Sequence, residues 1–206
     1  MSGESPGWTL LGRDGDGLVV VVDLSADGTS EQEPRHTFDD VHAAVAARPS
    51  SRWIWSDTSA WYPSLLAAGV TIERCRDLRL CHLILREAES VADAGALRRA
   101  QSWMAPAHSS FTMATGSSAP SAETLSLFDL DVSPRGVPDS VDEALAELTR
   151  QQRAVASSTD PRRLELLLAA ESAGALIAEE MRSAGLPWDV EAHNRILTGL
   201  LGERTG

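Results

Sequence analysis

The chain has 206 residues with 18 basic and 30 acidic side chains, and its formal net charge of −12 opposes tight binding to a nucleic acid backbone. Every basic residue is arginine, so the chain has neither a Walker A phosphate loop nor a Schiff-base lysine. Two cysteines and the lack of an apolar N-terminal segment predict a reduced, cytoplasmic protein without a signal peptide or a membrane span.

The first hundred residues alternate between strand-like and helix-like patterns. Apolar runs at 8–11 and 18–24 flank the Gly/Asp turn Arg13–Gly17, and this arrangement predicts a β-hairpin. The later patterns predict a helix over 38–47, a strand over 52–55, a helix over 61–68, a strand over 70–73 and a helix over 78–86. This alternation predicts an α/β domain over residues 1–103. Its small core is expected to contain four tryptophans: Trp53, Trp55, Trp61 and Trp103.

Residues 104–138 change in composition. They are small, polar and interrupted by proline, which predicts a flexible linker. An apolar island, 123–130, lies inside it, and exposed Leu and Phe in such a segment indicate a docking place.

Residues 139–206 are helical in pattern. Asp160 followed by Pro161 predicts the start of a long helix, Gly185 predicts its end, and Asp189 is expected to cap a second helix. We expect this hairpin to fray, because isolated short helices are marginal in water. One buried stripe is expected on the first helix, at Leu164, Leu167, Leu168, Ala175, Ile177, Ala178 and Met181. An apolar face is expected on the second, at Ile196, Leu197, Leu200 and Leu201.

The junction between these two helices carries a resemblance. The run from Glu171 through Met181, Gly185, Trp188 and Asp189 resembles the segment that joins the proofreading domain to the polymerase domain in family A DNA polymerases, the DNA polymerase I class. Upstream, the run 62–82 is similar to a helix–strand–helix of that family's 3′–5′ exonuclease domain, in particular in its actinobacterial bifunctional branch.

The resemblance implies three regions. Residues 1–103 would form a ribonuclease-H-like exonuclease domain, 104–138 a linker, and 139–206 the helices leading to a polymerase domain that this chain lacks. The parent activity would be template-directed nucleotide addition with Mg²⁺, and DNA would be contacted through the parent polymerase. The chain itself is expected to be a monomer that holds no cofactor.

The exonuclease is predicted to be degenerate. The family's nucleases hold two metal ions with carboxylates that begin with an Asp-x-Glu on the first strand. Here the first strand has no acid, Asp14 and Asp16 lie in a turn, and Asp23 stands alone. Trp61 occupies the place of a second family Asp, while Asp57 is expected to cap that helix. We therefore predict no catalytic residue and no metal ligand.

The linker island resembles a second motif, the Gln-Leu-Ser-Leu-Phe type of peptide by which bacterial polymerases bind the sliding clamp. Leu125, Leu127 and Phe128 would be its apolar anchors, and Thr124 replaces the usual Gln and its amide hydrogen bonds. The alternative is that Leu127 and Phe128 pack onto the chain's own core. With clamp binding, the expected role is scaffolding of a polymerase in DNA replication or repair.

Other interpretations remain open. The chain could be a stand-alone acidic interaction module without a tie to DNA, or an active nuclease with unusual ligands. Cys75, Cys81 and His82 could supply soft metal ligands, but their spacing does not match a zinc knuckle, and core cysteines are the preferred interpretation.

Overall fold

The computed structural model describes residues 7–24, 34–105, 136–185 and 189–202. In these ranges the strands are β1 (Trp8–Arg13), β2 (Val19–Leu24), β3 (Arg35–Phe38), β4 (Arg52–Trp55) and β5 (Cys75–Asp77). The helices are α1 (Val41–Ala46), α2 (Thr58–Ala67), α3 (Leu78–Glu87), α4 (Gly95–Arg99), α5 (Val141–Ala156), α6 (Pro161–Ala184) and α7 (Val190–Leu201). A short 3₁₀ turn, Gln101–Met104, follows α4.

The strands form one mixed sheet in the order β3-β2-β1-β4-β5. β2 runs antiparallel to both of its neighbours, whereas β4 is parallel to β1 and β5 is parallel to β4. The four consecutive valines Val19–Val22 are all buried, so side chains on both faces of the sheet are covered. The predicted α/β class is confirmed at this level.

Helices from both sides of the predicted linker cover this sheet. On one face, Trp55 and Tyr62 pack in a cluster that also contains Leu176 of α6. On the other face, Leu10 and Trp103 share a cluster with Val141 at the start of α5 and with Val137 just before that helix. Side chains before residue 103 and after residue 139 therefore share one core, and the predicted boundaries mark a change of composition within that packed unit.

Several predicted elements differ from the observed ones. The predicted helix over 38–47 is divided, because Phe38 ends the unforeseen strand β3 and α1 begins only after its cap, Asp40. The strand expected over 70–73 lies instead at Cys75–Asp77. Gly69 ends the preceding helix with a φ of 75°, and the residues between Gly69 and Cys75 form the connection back to the sheet. The hairpin and the strand over 52–55 are confirmed.

The predicted buried stripe on α6 is confirmed at Leu164 and Leu168 and is wrong at Leu167, Ile177, Ala178 and Met181. The core side of this helix is formed by Leu164, Leu168, Ser172, Leu176 and Glu179, which contact α2, α3 and β5. Leu167, Ile177 and Met181, expected to be buried, are 44%, 55% and 48% exposed. The helix thus has two apolar sides, and periodicity alone does not say which of them meets the sheet.

Candidate functional site

The carboxyl ends of the parallel strands β1, β4 and β5 meet at one edge of the sheet, which we name the carboxyl edge. Open α/β sheets bind ligands outside such an edge, at the point where successive connections leave in opposite directions. Here the connection from β1 goes to β2 on one side of the sheet, and the connection from β4 goes to β5 on the other side. A cavity of about 800 Å³ opens at this point, and its polar lining includes Ser56, Asp57, Gln101, Ser102 and Asp139.

Asp57 is the acid directly after β4, and both of its carboxylate oxygens are occupied. Oδ1 accepts hydrogen bonds from the backbone N–H and the hydroxyl of Ser59, at 3.0 and 2.8 Å. Oδ2 lies 3.1 Å from Nε of Arg79. The predicted role of Asp57 as the N-cap of the next helix is confirmed, although that helix begins at Thr58 rather than at 61.

Asp77 ends β5 and is fully buried. Its carboxylate accepts from the backbone N–H of Leu80 at 2.8 Å and from that of Thr58 at 2.7 Å, so it caps α3 and also ties the first turn of α2. Burial raises the pKa of Asp77 above its usual value, and these two hydrogen bonds act in the opposite direction. The carboxyl group is committed to joining two helix starts.

The end of β1 carries a cation where a metal site would need an acid. Arg13 Nε lies 3.1 Å from Asp139 Oδ2, and its Nη1 donates to the carbonyl of Gly17 at 3.0 Å. The guanidinium also lies 4.7 Å from the ring centroid of Trp61, whose indole N–H donates to Ser56 Oγ at 2.9 Å. A guanidinium and an indole therefore occupy this end of β1.

The two metal ions that a 3′–5′ exonuclease of the resembled family would hold do not fit the carboxyl edge. Catalysis by two metal ions needs several converging carboxylates with free lone pairs. The carboxylate oxygens of Asp57 and Asp77 are already bound by helix-capping hydrogen bonds and by Arg79, and Arg13 adds a positive charge at this edge. Within the described ranges, no three His, Cys, Asp or Glu side chains are placed to hold a metal ion together.

Asp23 lies away from this edge. It is paired with Thr9 near the amino end of β1, and its Oδ1 accepts from the Thr9 hydroxyl at 2.9 Å. Arg48 holds both carboxylate oxygens, through Nε at 2.8 Å and Nη2 at 2.9 Å. The hydrogen bonds from Arg48 lower the pKa of Asp23, with burial acting in the opposite direction. This carboxylate has a structural role at the opposite edge.

A buried polar network that sequence reasoning missed links α3 to α5. Glu147 and His82 are both fully buried, with 2.9 Å between Glu147 Oε1 and His82 Nδ1. Glu147 also accepts from Arg150 Nε and Gln151 Nε2, each at 2.8 Å. His82 and Glu147 are 65 residues apart in sequence, and no local pattern pairs them.

The two thiols are confirmed as core groups. Cys75 Sγ donates to the carbonyl of Ser172 at 3.5 Å, and Cys81 Sγ lies 3.8 Å from the Ser172 hydroxyl. Burial raises the pKa of Cys75 to about 12 and that of Cys81 to about 11. Such thiols are poor nucleophiles and poor metal ligands, because both roles need the thiolate.

The predicted junction motif is mostly within the described residues. Gly185 ends α6 with φ of 74°, and Asp189 caps α7 by accepting from the N–H of Ala192 at 2.9 Å. Glu171 and Met181 are exposed on α6, and neither lines the cavity at the carboxyl edge. Trp188 lies outside the described residues, as does the whole predicted clamp peptide with Thr124, Leu125, Leu127 and Phe128.

Comparison of the chain with protein-family models, with curated proteins and with solved structures finds no match. The described helices include none with the length and apolar character needed to span a membrane. The function of this chain is therefore inferred from its own residues and their geometry.

Proposed function

We propose that this chain is the N-terminal, non-catalytic part of a family A DNA polymerase, with a degenerate ribonuclease-H-like exonuclease domain that serves as a scaffold. The observation that carries the proposal is the sheet. Its order β3-β2-β1-β4-β5, with β2 alone antiparallel to the other strands, is the arrangement expected of a ribonuclease-H-like domain. The resemblance of the runs 62–82 and 171–189 to this polymerase family supports the same assignment.

The chemistry of the carboxyl edge supports the degenerate form. In such a nuclease this edge would hold the metal-binding carboxylates. Here Arg13 and Trp61 occupy the end of β1. The carboxylate oxygens of Asp57 and Asp77 are bound by groups at the starts of α2 and α3. These contacts stabilise the fold, and among the residues that the structure describes at this edge they leave no carboxylate pair for two metal ions.

Loss of nuclease activity is tested on labelled single-stranded DNA with Mg²⁺ or Mn²⁺. We expect no degradation above the buffer level, because no described carboxylate cluster can hold two metal ions. The matched variants are Asp57→Ala at the carboxyl edge and Asp23→Ala at the opposite edge. The proposal is contradicted if the unmodified chain cleaves the DNA in a metal-dependent way and either variant loses that cleavage.

The tie to replication is tested by calorimetry with the cognate sliding clamp. The peptide that contains Leu127 and Phe128 is expected to bind with a micromolar Kd, about −8 kcal/mol. The double variant Leu127→Ala/Phe128→Ala should abolish the heat of binding, whereas Leu130→Ala, outside the pentapeptide, should keep it. If the unmodified chain does not bind the clamp, the tethering role is excluded. The scaffold role would then be supported by the sheet and by the family resemblance of the runs 62–82 and 171–189.

A protein-interaction module without a link to DNA is the second candidate. It is favoured by apolar side chains that stay exposed on the C-terminal helices, with Leu166 at 71% and Leu200 at 75%. The clamp experiment separates the two candidates, because only the polymerase assignment predicts clamp binding.

A further inference from the structure

The cavity at the carboxyl edge is apolar over much of its wall. Its volume of about 800 Å³ lies within the range of cavities that hold a drug-sized ligand. Met104, the largest apolar side chain in the described lining, is 40% exposed, and Ala60 is exposed as well. The other apolar side chains of the described lining are those of Ala105, Val137 and Pro138. Contact of this wall with water is unfavourable, so the cavity suits an apolar occupant.

The polar part of the lining disfavours a charged occupant. Among the described lining residues the acids are Asp57 and Asp139, and none is basic. An anion such as a phosphate would meet two carboxylates without a compensating cation in that lining. A cation would find Asp57 already engaged, since Ser59 and Arg79 bind its two oxygens. Asp139 is paired with Arg13. The cavity therefore takes a neutral group.

The position of the cavity relates it to one segment of the chain. Ala105 and Gly136 both line it, and they are the residues on either side of the segment 106–135, which lies outside the described residues. Phe128 is eight positions before Gly136, and eight residues reach at most about 27 Å. The apolar island, 123–130, is therefore within reach of the cavity.

The island has the chemistry that the cavity requires. Its central run, 124–128, is uncharged and contains Leu125, Leu127 and Phe128. Removing an exposed Leu or Phe side chain from water is worth about 1.5–3 kcal/mol. Attachment to Gly136 adds to this, because a short tether acts like a ligand concentration in the millimolar range. A separate molecule of the same chemistry at micromolar concentration competes poorly with the tethered island.

We propose that Leu127 and Phe128 bind in the cavity at the carboxyl edge of their own chain, with Met104 as a principal contact. The proposal does not rest on the polymerase assignment, since it uses only the chain's own surface. Phe111 and Met113 are the competing apolar pair in the same segment, but 125–130 contains four large apolar side chains and 111–113 only two. Side chains docked in this way are withheld from any other partner of the island.

The first test measures binding in trans, with a fluorescent synthetic peptide of residues 121–131 as the probe and its anisotropy as the signal. The full-length double variant Leu127→Ala/Phe128→Ala leaves the cavity open and should bind the probe with a Kd of about 100 μM. The unmodified chain should bind it at least about 10-fold more weakly, because its own island competes at millimolar effective concentration. No clamp is present, so the result is independent of the clamp experiment.

The matched control for the first test is Phe111→Ala, which removes a phenylalanine from the same segment and should leave the probe excluded as in the unmodified chain. Met104→Glu, added to the double variant, should abolish probe binding, because a charge replaces an apolar contact. Circular dichroism confirms that the variants are folded. The proposal is overturned if the double variant binds the probe no more tightly than the unmodified chain does, or if Phe111→Ala opens the cavity instead.

The second test uses disulfide formation within one chain. The native thiols Cys75 and Cys81 are buried, so introduced cysteines report on the docking. Met104→Cys with Phe128→Cys should oxidise at least about 10-fold faster than Met104→Cys with Phe111→Cys, because only docking holds the two Cβ atoms at the spacing of a disulfide. Equal rates for the two pairs would show that tethering alone brings the segment to the cavity wall, and would overturn the proposal.

Discussion

Glu147 illustrates how single residues stabilise this fold. Its carboxylate is fully buried and accepts hydrogen bonds from Arg150 and Gln151 beside its contact with His82, so two elements are joined through one group. A buried group with this many partners specifies the packing of α3 against α5, because loss of Glu147 would leave several buried polar groups unpaired at a cost of several kcal/mol. Asp57 and Asp77 act in the same way at the carboxyl edge.

The pair Asp23–Arg48 makes stability depend on pH. Arg48 lowers the pKa of Asp23 in the folded chain, so this contribution is present above the ordinary value of 3.8 and is lost as the pH falls through the folded pKa. Since the Asp23 side chain is 44% exposed, Asp23→Asn should lower the free energy of unfolding by only about 0.5–1 kcal/mol at pH 7. In urea unfolding, the difference in free energy of unfolding between the unmodified chain and Asp23→Asn should disappear as the pH is lowered below the ordinary Asp pKa of 3.8.

The control for this prediction is Asp16→Asn, a change at an exposed carboxylate in the β1–β2 turn. It should alter the free energy of unfolding by no more than about 0.3 kcal/mol, both at neutral pH and at acid pH. An Asp23→Asn effect of equal size at neutral and acid pH would contradict the ion-pair explanation.

At the scale of elements, helix starts were predictable because their signals are local. Asp57, Asp160 and Asp189 each accept a backbone hydrogen bond in the first turn of the helix that follows, as their positions in the sequence predict. The docking of α5 on β1 was not predictable. It depends on Gly12, where the backbone of the strand meets the first turn of a helix more than a hundred residues later in the chain.

Gly12→Ala should therefore disturb the contact between β1 and α5. An added Cβ would lie 2.6 Å from both Cα and N of Val141, and α5 is held there by the hydrogen bond from Arg13 N–H to Asp139 O at 2.8 Å. Because backbone rather than a flexible side chain must move, we expect a loss of about 2 kcal/mol or more in urea unfolding. Gly15→Ala, where a Cβ meets nothing within 4 Å, should change stability by less than about 0.5 kcal/mol. Equal effects of the two substitutions would disprove this account.

At the scale of the molecule, the core combines residues from before and after the predicted linker. Leu164 and Leu168 of α6 pack with Cys81 and Leu85 of α3, and Leu176 completes the cluster around Trp55. By contrast, the side chains of α7 that the structure describes are intermediate or exposed, and none is buried. The long helix α6 is thus part of the sheet domain, whereas α7 contributes little to its core.

Truncation tests this organisation. A chain ending at residue 158 lacks three core leucines, each worth about 2–5 kcal/mol when removed, and should show no cooperative unfolding transition. A chain ending at residue 185 lacks only the helix without buried side chains, and its stability should stay within about 1 kcal/mol of the parent. Cooperative unfolding of the shorter chain in urea would contradict the assignment of α6 to the sheet domain.

The sequence by itself determined the β1–β2 hairpin, the caps of α2, α6 and α7, and the burial of the four central tryptophans, because these depend on neighbouring residues or on strong hydrophobicity. It also identified the lack of acids on β1. Only the tertiary structure decided which side of α6 meets the core, where β5 joins the sheet, and that Glu147 meets His82. Such contacts join residues far apart in the chain, so packing selects among arrangements that local patterns leave equivalent.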